Sequence, residues 1–174
     1  MPGKIIQLQT QNITSPTATV SVTGIDDNST HIVTFHSLTT SNDSKNPRIR
    51  VTKASDSSAD NATEYDFSTR SFRTDTNFNN GAGEGSTSWS IGNIGTGTEE
   101  VANGIIYLYQ FADASHNSYM RIDCHYRHHT GSTLFGQFGG GVHTVNQANN
   151  GIQFLEGAGD TITGVFTLYK VVAS

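Results

Sequence analysis

Six consecutive residues, Cys124-His125-Tyr126-Arg127-His128-His129, hold three histidines, an arginine and the chain's one cysteine, with His116 and His143 to either side. Side chains of these types bind transition metals or move protons. Spacing argues against a shared ion within the run. The surrounding residues alternate as a strand, and residues four apart on one side of a strand stand about 13 Å apart at ~3.3 Å per residue. Neither Cys124 with His128 nor His125 with His129 can then reach one metal. Joining His125 and His129 to His143 on a neighbouring strand would give a cupin-like metal enzyme. That site needs two close histidines with a nearby carboxylate, and the spacing is not there. The sequence offers no catalytic residue, no metal-ligand set and no cofactor site, and Cys124 reads as a small core residue.

Other chemistry is no better supported. Gly92-Asn-Ile-Gly95-Thr-Gly97 lacks the lysine and following helix of a phosphate loop, and Gly139-Gly140-Gly141 reads as a turn or bulge between strands. There is no Gly-x-Ser-x-Gly nucleophile elbow. Asp26-Asp27-Asn28 and Asp56 to Asp60 are acidic enough for surface calcium but lack the EF-hand spacing, and such runs are more often turns.

The elements that must position these residues are strands. No segment carries the 3.6-residue apolar period of a helix. Alternating runs recur instead: Ala18, Val20 and Val22; Val33 and Phe35 against Ile32; Ile49 and Val51 against Arg48 and Arg50; Tyr65 and Phe67; Trp89, Ile91 and Ile94. Met120, Ile122, Cys124 and Tyr126 alternate with Tyr119, Arg121, Asp123, His125 and Arg127. Leu134 to Phe138 adds another, and Ile152 with Phe154 begins a closing pair of strands. The expected total is about nine or ten strands. Asn77 to Ser86, rich in glycine and asparagine, reads as a mobile surface loop. The economical arrangement is one all-β domain over residues 1–174, an antiparallel two-sheet sandwich of jelly-roll type. Immunoglobulin topology lacks its cysteine pair.

Composition agrees and narrows the partners. Ser, Thr, Asn and 18 glycines replace the helix formers, and a net charge of -5 argues against a nucleic-acid binder. No stretch approaches the ~20 apolar residues of a membrane span, and Met1 to Leu8 runs straight into a strand pattern without a signal peptide's apolar region. The expectation is assembly in a cytoplasm.

Two strands are apolar on both faces, Ile105 to Phe111 and Ile162 to Val172. A strand of that kind packs in a core and also meets something outside it. Tyr107, Tyr109, Val165, Tyr169 and Val171 are thus candidate subunit-interface residues, together with Arg121, His125 and Arg127 from a cationic strand face suited to an acidic neighbour. Tyr107, Tyr109, Tyr119 and Tyr126 also suit stacking on a host surface glycan.

The stretch Asn149-Asn-Gly-Ile-Gln-Phe followed by Gly164-Val-Phe-Thr-Leu-Tyr-Lys-Val resembles the C-terminal signature of jelly-roll virion proteins of bacteriophages, especially those of cyanobacteria and marine bacteria. Arg48-Ile-Arg-Val51, Ser88-Trp-Ser-Ile-Gly92 and Ile105-Ile-Tyr-Leu-Tyr109 follow in the same order as in that family. Lys170 departs from it, where glycine is frequent. The resemblance implies a jelly roll, often a homotrimer, displayed on the virion and without catalytic residues. One domain that starts almost at once in a strand, with no shaft pattern, suits a non-enzymatic capsid decoration or cement protein that clamps the major capsid protein. The alternative is the receptor-binding head of a tail fibre or spike.

Overall fold

The computed structural model describes residues 3–157 and 159–172. Among these there is no helix, and twelve strands carry the chain. They are β1 (Lys4–Thr17), β2 (Thr19–Thr23), β3 (His31–Thr40), β4 (Arg48–Lys53), β5 (Tyr65–Arg73), β6 (Phe78–Ser86), β7 (Trp89–Ser90), β8 (Ala102–Tyr109), β9 (Ser118–Arg127), β10 (Leu134–His143), β11 (Asn149–Leu155) and β12 (Ile162–Val172). All pair antiparallel. A wide sheet has eight strands in the order β1-β12-β3-β8-β9-β10-β5-β6, and a narrow one has four, β2-β11-β4-β7.

The period of two explains the layering. Along β9 every second residue is buried, from Ser118 to Tyr126, and the residues between are exposed. Inward residues of both sheets make one core, in which Phe154 of β11 meets Phe35 of β3 at 5.7 Å and Phe166 of β12 at 4.7 Å between ring centroids. Ile152 and Phe154 share the buried side of β11, as their spacing requires. Ala18 does not join Val20 and Val22 in the core; it is exposed at the corner between β1 and β2.

Two glycine-rich segments overturn the sequence reading. Asn77 to Ser86 is not a loop: its residues from Phe78 onward form the edge strand β6, hydrogen-bonded to β5. Its glycines are there for close approach. A Cβ on Gly81 would fall 2.7 Å from Thr69 Oγ1, and one on Gly83 would fall 2.5 Å from the Phe67 ring. Likewise Gly139, Gly140 and Gly141 are not a turn but the middle of β10. A Cβ on Gly139 would lie 2.3 Å from the Ser68 carbonyl, and one on Gly141 would lie 2.5 Å from Trp89 Nε1. Absent side chains let β5 and the indole close on that strand.

The narrow sheet ends at β7, while the wide sheet runs on through β10, β5 and β6. Beyond that edge the inner face becomes polar. Gln137 on β10 donates to Thr69 Oγ1 at 3.2 Å and to the Ser90 carbonyl at 3.3 Å, and its Oε1 accepts from Gly92 N–H at 3.0 Å. A groove of about 410 Å³ opens there, with Asn46, Asn79, Asn80 and Asn93 on its walls.

Candidate functional site

The outer face of the wide sheet is where the sequence-derived interface residues meet. Because β12 and β8 alternate strictly, their second apolar sets point away from the core. Val165, Tyr169 and Val171 are half-buried outward residues of β12, as is Tyr107 of β8, with Ile105 and Tyr109 more exposed beside it. The register then builds rows across the strands. One row runs Gln7, Tyr169, Ile32, Tyr107 and Arg121. On one side of it Ile5 faces Val171, and Tyr109 faces Tyr119. On the other, Thr10, Thr167, Thr34, Ile105 and Asp123 form the next row.

At the centre Ile5, Ile32, Thr34, Ile105, Tyr107 and Tyr169 line a shallow groove of about 330 Å³. Ile5 is 62% exposed, an unusual state for an isoleucine in a strand. Polar groups rim the patch: Gln7, Arg121, Asp123, and His125, whose Nε2 lies 3.5 Å from Asn103 Nδ2. An apolar centre with a polar rim is the anatomy of a protein interface. Of the eight residues singled out from sequence, Arg127 lies farthest from this centre, opposite Leu134 at the end of β9. Sequence reading omitted Ile5, Ile32 and Ile105 from the set, although Ile32 opposes Val33 and Phe35 in the alternation of β3.

No family model, curated protein or solved structure matches this chain.

The histidines are dispersed. His125 is exposed on the outer face, His129 approaches Asp43 at 3.8 Å, and His143 is wholly buried on the inner side of β10. The cupin-like grouping of the three therefore does not form, since the strand alternation sends His125 and His143 to opposite sides of the sheet. Cys124 is buried against Gln137, and burial pushes its thiol up to about 12, so no reactive thiolate forms at neutral pH.

Ser115, His116 and Asp113 touch one another on an exposed turn, but Nδ1 of His116 faces both the hydroxyl, at 3.0 Å, and the carboxylate, at 2.9 Å. A proton relay uses the two ring nitrogens separately, so this is turn chemistry rather than a triad. The Asp26–Asp27 turn faces a lysine: Lys170 Nζ lies 3.0 Å from Asp26 and 2.6 Å from Asp27, which is held down at about 2, chiefly by its hydrogen bond from Lys170. Lys170 thus ties this turn to β12.

His31 opens β3 fully buried, with Nδ1 2.8 Å from the Ser29 carbonyl and Nε2 without a partner among the described residues. Burial lowers its proton affinity, opposed by the Ser29 hydrogen bond and Asp27, while Lys170 reinforces the lowering. The unfolded chain takes up a proton near pH ~6.5 and the folded one resists it, so acid favours unfolding. The urea midpoint, measured with a chelator present, is expected to fall between pH 7.5 and pH 5.5. A midpoint that rises over that interval would contradict a neutral, buried His31.

Proposed function

We propose that this chain is a non-enzymatic virion-surface protein, a jelly roll that works as a homotrimer and decorates the capsid by clamping the major capsid protein. The observation that carries the reading is the apolar outer face on β1, β12, β3 and β8, which serves as the seam between copies.

Strand order supports the jelly-roll part. With the β5–β6 and β9–β10 pairs set aside, the other strands pair as nested couples: β1 with β12, β2 with β11, β3 with β8 and β4 with β7. Rolling one long hairpin of that kind into two facing sheets is how a jelly roll is made. The resemblance of Asn149 to Val172 to phage virion proteins supplies the virion context. A closed trimer suits a face of this kind, because cyclic symmetry buries the same patch on every copy.

Light scattering on the purified protein is expected to give three times the 18.7 kDa chain mass. A monomer at all concentrations would remove the seam. Antibody labelling of particles then decides the location. Label over the capsid fits the proposal, and its absence from the particle rejects it. Label at the tail tip alone would favour the receptor-binding head, a reading to which the amide-lined groove by Asn79, Asn80 and Asn93 lends some support as a seat for neutral sugar.

A further inference from the structure

His143 ends β10 with no exposed surface, paired in register with Tyr65 on one side and Ser118 on the other. Neither ring nitrogen has a hydrogen-bond partner among the described residues. Buried polar atoms are nearly always satisfied, so an orphaned imidazole needs an explanation.

Its Nε2 faces two carboxylates, Asp60 Oδ2 at 3.6 Å and Glu64 Oε2 at 3.5 Å. These separations are long for hydrogen bonds. They match the edge of a coordination tetrahedron: ligand atoms each about 2.1 Å from a central ion stand roughly 3.4 Å from one another. All three ligand atoms lie within 4.8 Å of one another.

Asp60 is held in place by other groups. Its Oδ1 accepts from Ala62 N–H at 3.1 Å, its Oδ2 from Gln147 Nε2 at 3.1 Å, and its backbone carbonyl from Tyr65 O–H at 2.7 Å. The Tyr65 ring packs on His143 at 4.9 Å between centroids. Supports of this kind orient metal ligands.

We propose that Asp60, Glu64 and His143 bind a divalent transition-metal ion, zinc being the one that fits, which clamps the β4–β5 connection to the end of β10. One imidazole with carboxylates selects zinc or its neighbours over calcium and magnesium, which prefer oxygen alone. A fourth position is open to water, because the Glu64 side chain is 33% exposed. The role is structural, and it holds whether or not the chain sits on a virion.

The test uses untagged, chelator-stripped protein and zinc chloride. Calorimetry is expected to show one zinc per chain. The melting temperature should rise by about 5 °C or more once zinc reaches a hundredfold excess over its Kd. Calcium and magnesium should leave it unmoved, and cobalt substitution should give the visible absorption of a tetrahedral site. Glu64→Gln, whose carboxylate makes no hydrogen bond among the described residues, should melt like the parent without metal and bind zinc at least tenfold more weakly. No zinc binding by the folded parent would overturn the proposal. Undiminished binding by Glu64→Gln would do the same, by placing the ion elsewhere, as would an equal response to calcium.

Discussion

If the proposed trimer forms, Tyr107→Asp is expected to leave a folded monomer at concentrations where the parent chain associates. Tyr107 sits mid-row between Ile32 and Arg121 and helps line the apolar groove with Ile5, Ile105 and Tyr169. In a seam, that position is desolvated from both sides. An aspartate there must either shed its water without a partner or keep the copies apart. Removing a central aromatic anchor typically costs about 2–4 kcal/mol of association, or roughly 30- to 1,000-fold in affinity. The fold itself loses little, because Tyr107 points away from the core and surface changes usually stay within about 0.5 kcal/mol. Arg127→Ala is the control, since Arg127 lies on the same outer side but off the patch, opposite Leu134. Light scattering and circular dichroism read both variants. A Tyr107→Asp protein that remains trimeric at the parent's concentrations would move the seam to another face.

How much of this face was legible in the sequence depends on which strand is considered. In β8, β9 and β12 the alternation alone assigns inward and outward residues, because a period of two leaves no freedom once one residue is placed. Tyr107, Tyr169 and Val171 were recognisable for that reason. What periodicity cannot give is the neighbour across the ladder. Ile32 stands between Tyr169 and Tyr107 only because β3 lies between β12 and β8, and Ile5 reaches Val171 from the opposite end of the chain.

The glycine-rich strands failed for a different reason. β6 and the middle of β10 carry almost no apolar signal, so composition reads them as loops. Their conformation is set by partners: Phe67 and Thr69 closing over β6, and Trp89 over Gly141. His143 shows the same limit. Its nearness to Asp60 and Glu64 follows from pairing with Tyr65, and nothing in the local sequence announces it. The histidine-rich run at 125–129 drew attention by density, while the buried histidine lay alone in sequence.

Trp89→Ala is expected to cost about 3–5 kcal/mol of stability, a large share of the roughly 5–15 kcal/mol that holds a domain of this size together. Trp89 is completely buried, meets the Tyr65 ring edge-on at 5.3 Å and 88°, and donates from Nε1 to the Asp66 carbonyl at 3.3 Å. It belongs to the two-residue strand β7, paired only through Arg48 with Ser90 and Ile49 with Trp89. So short a strand has few ladder bonds of its own, and the indole is what fixes it against β5 and β10. Truncation leaves a void over Gly141, which has no side chain to move into it, and the cavity adds to the cost of the lost contacts. Trp89→Phe should recover much of the loss by restoring an aromatic body against Tyr65. Urea unfolding followed by circular dichroism, at matched protein concentration, measures both. A Trp89→Ala cost below about 1 kcal/mol would mean that the glycine-lined face of β10 closes without the indole, contrary to the packing argument for those glycines.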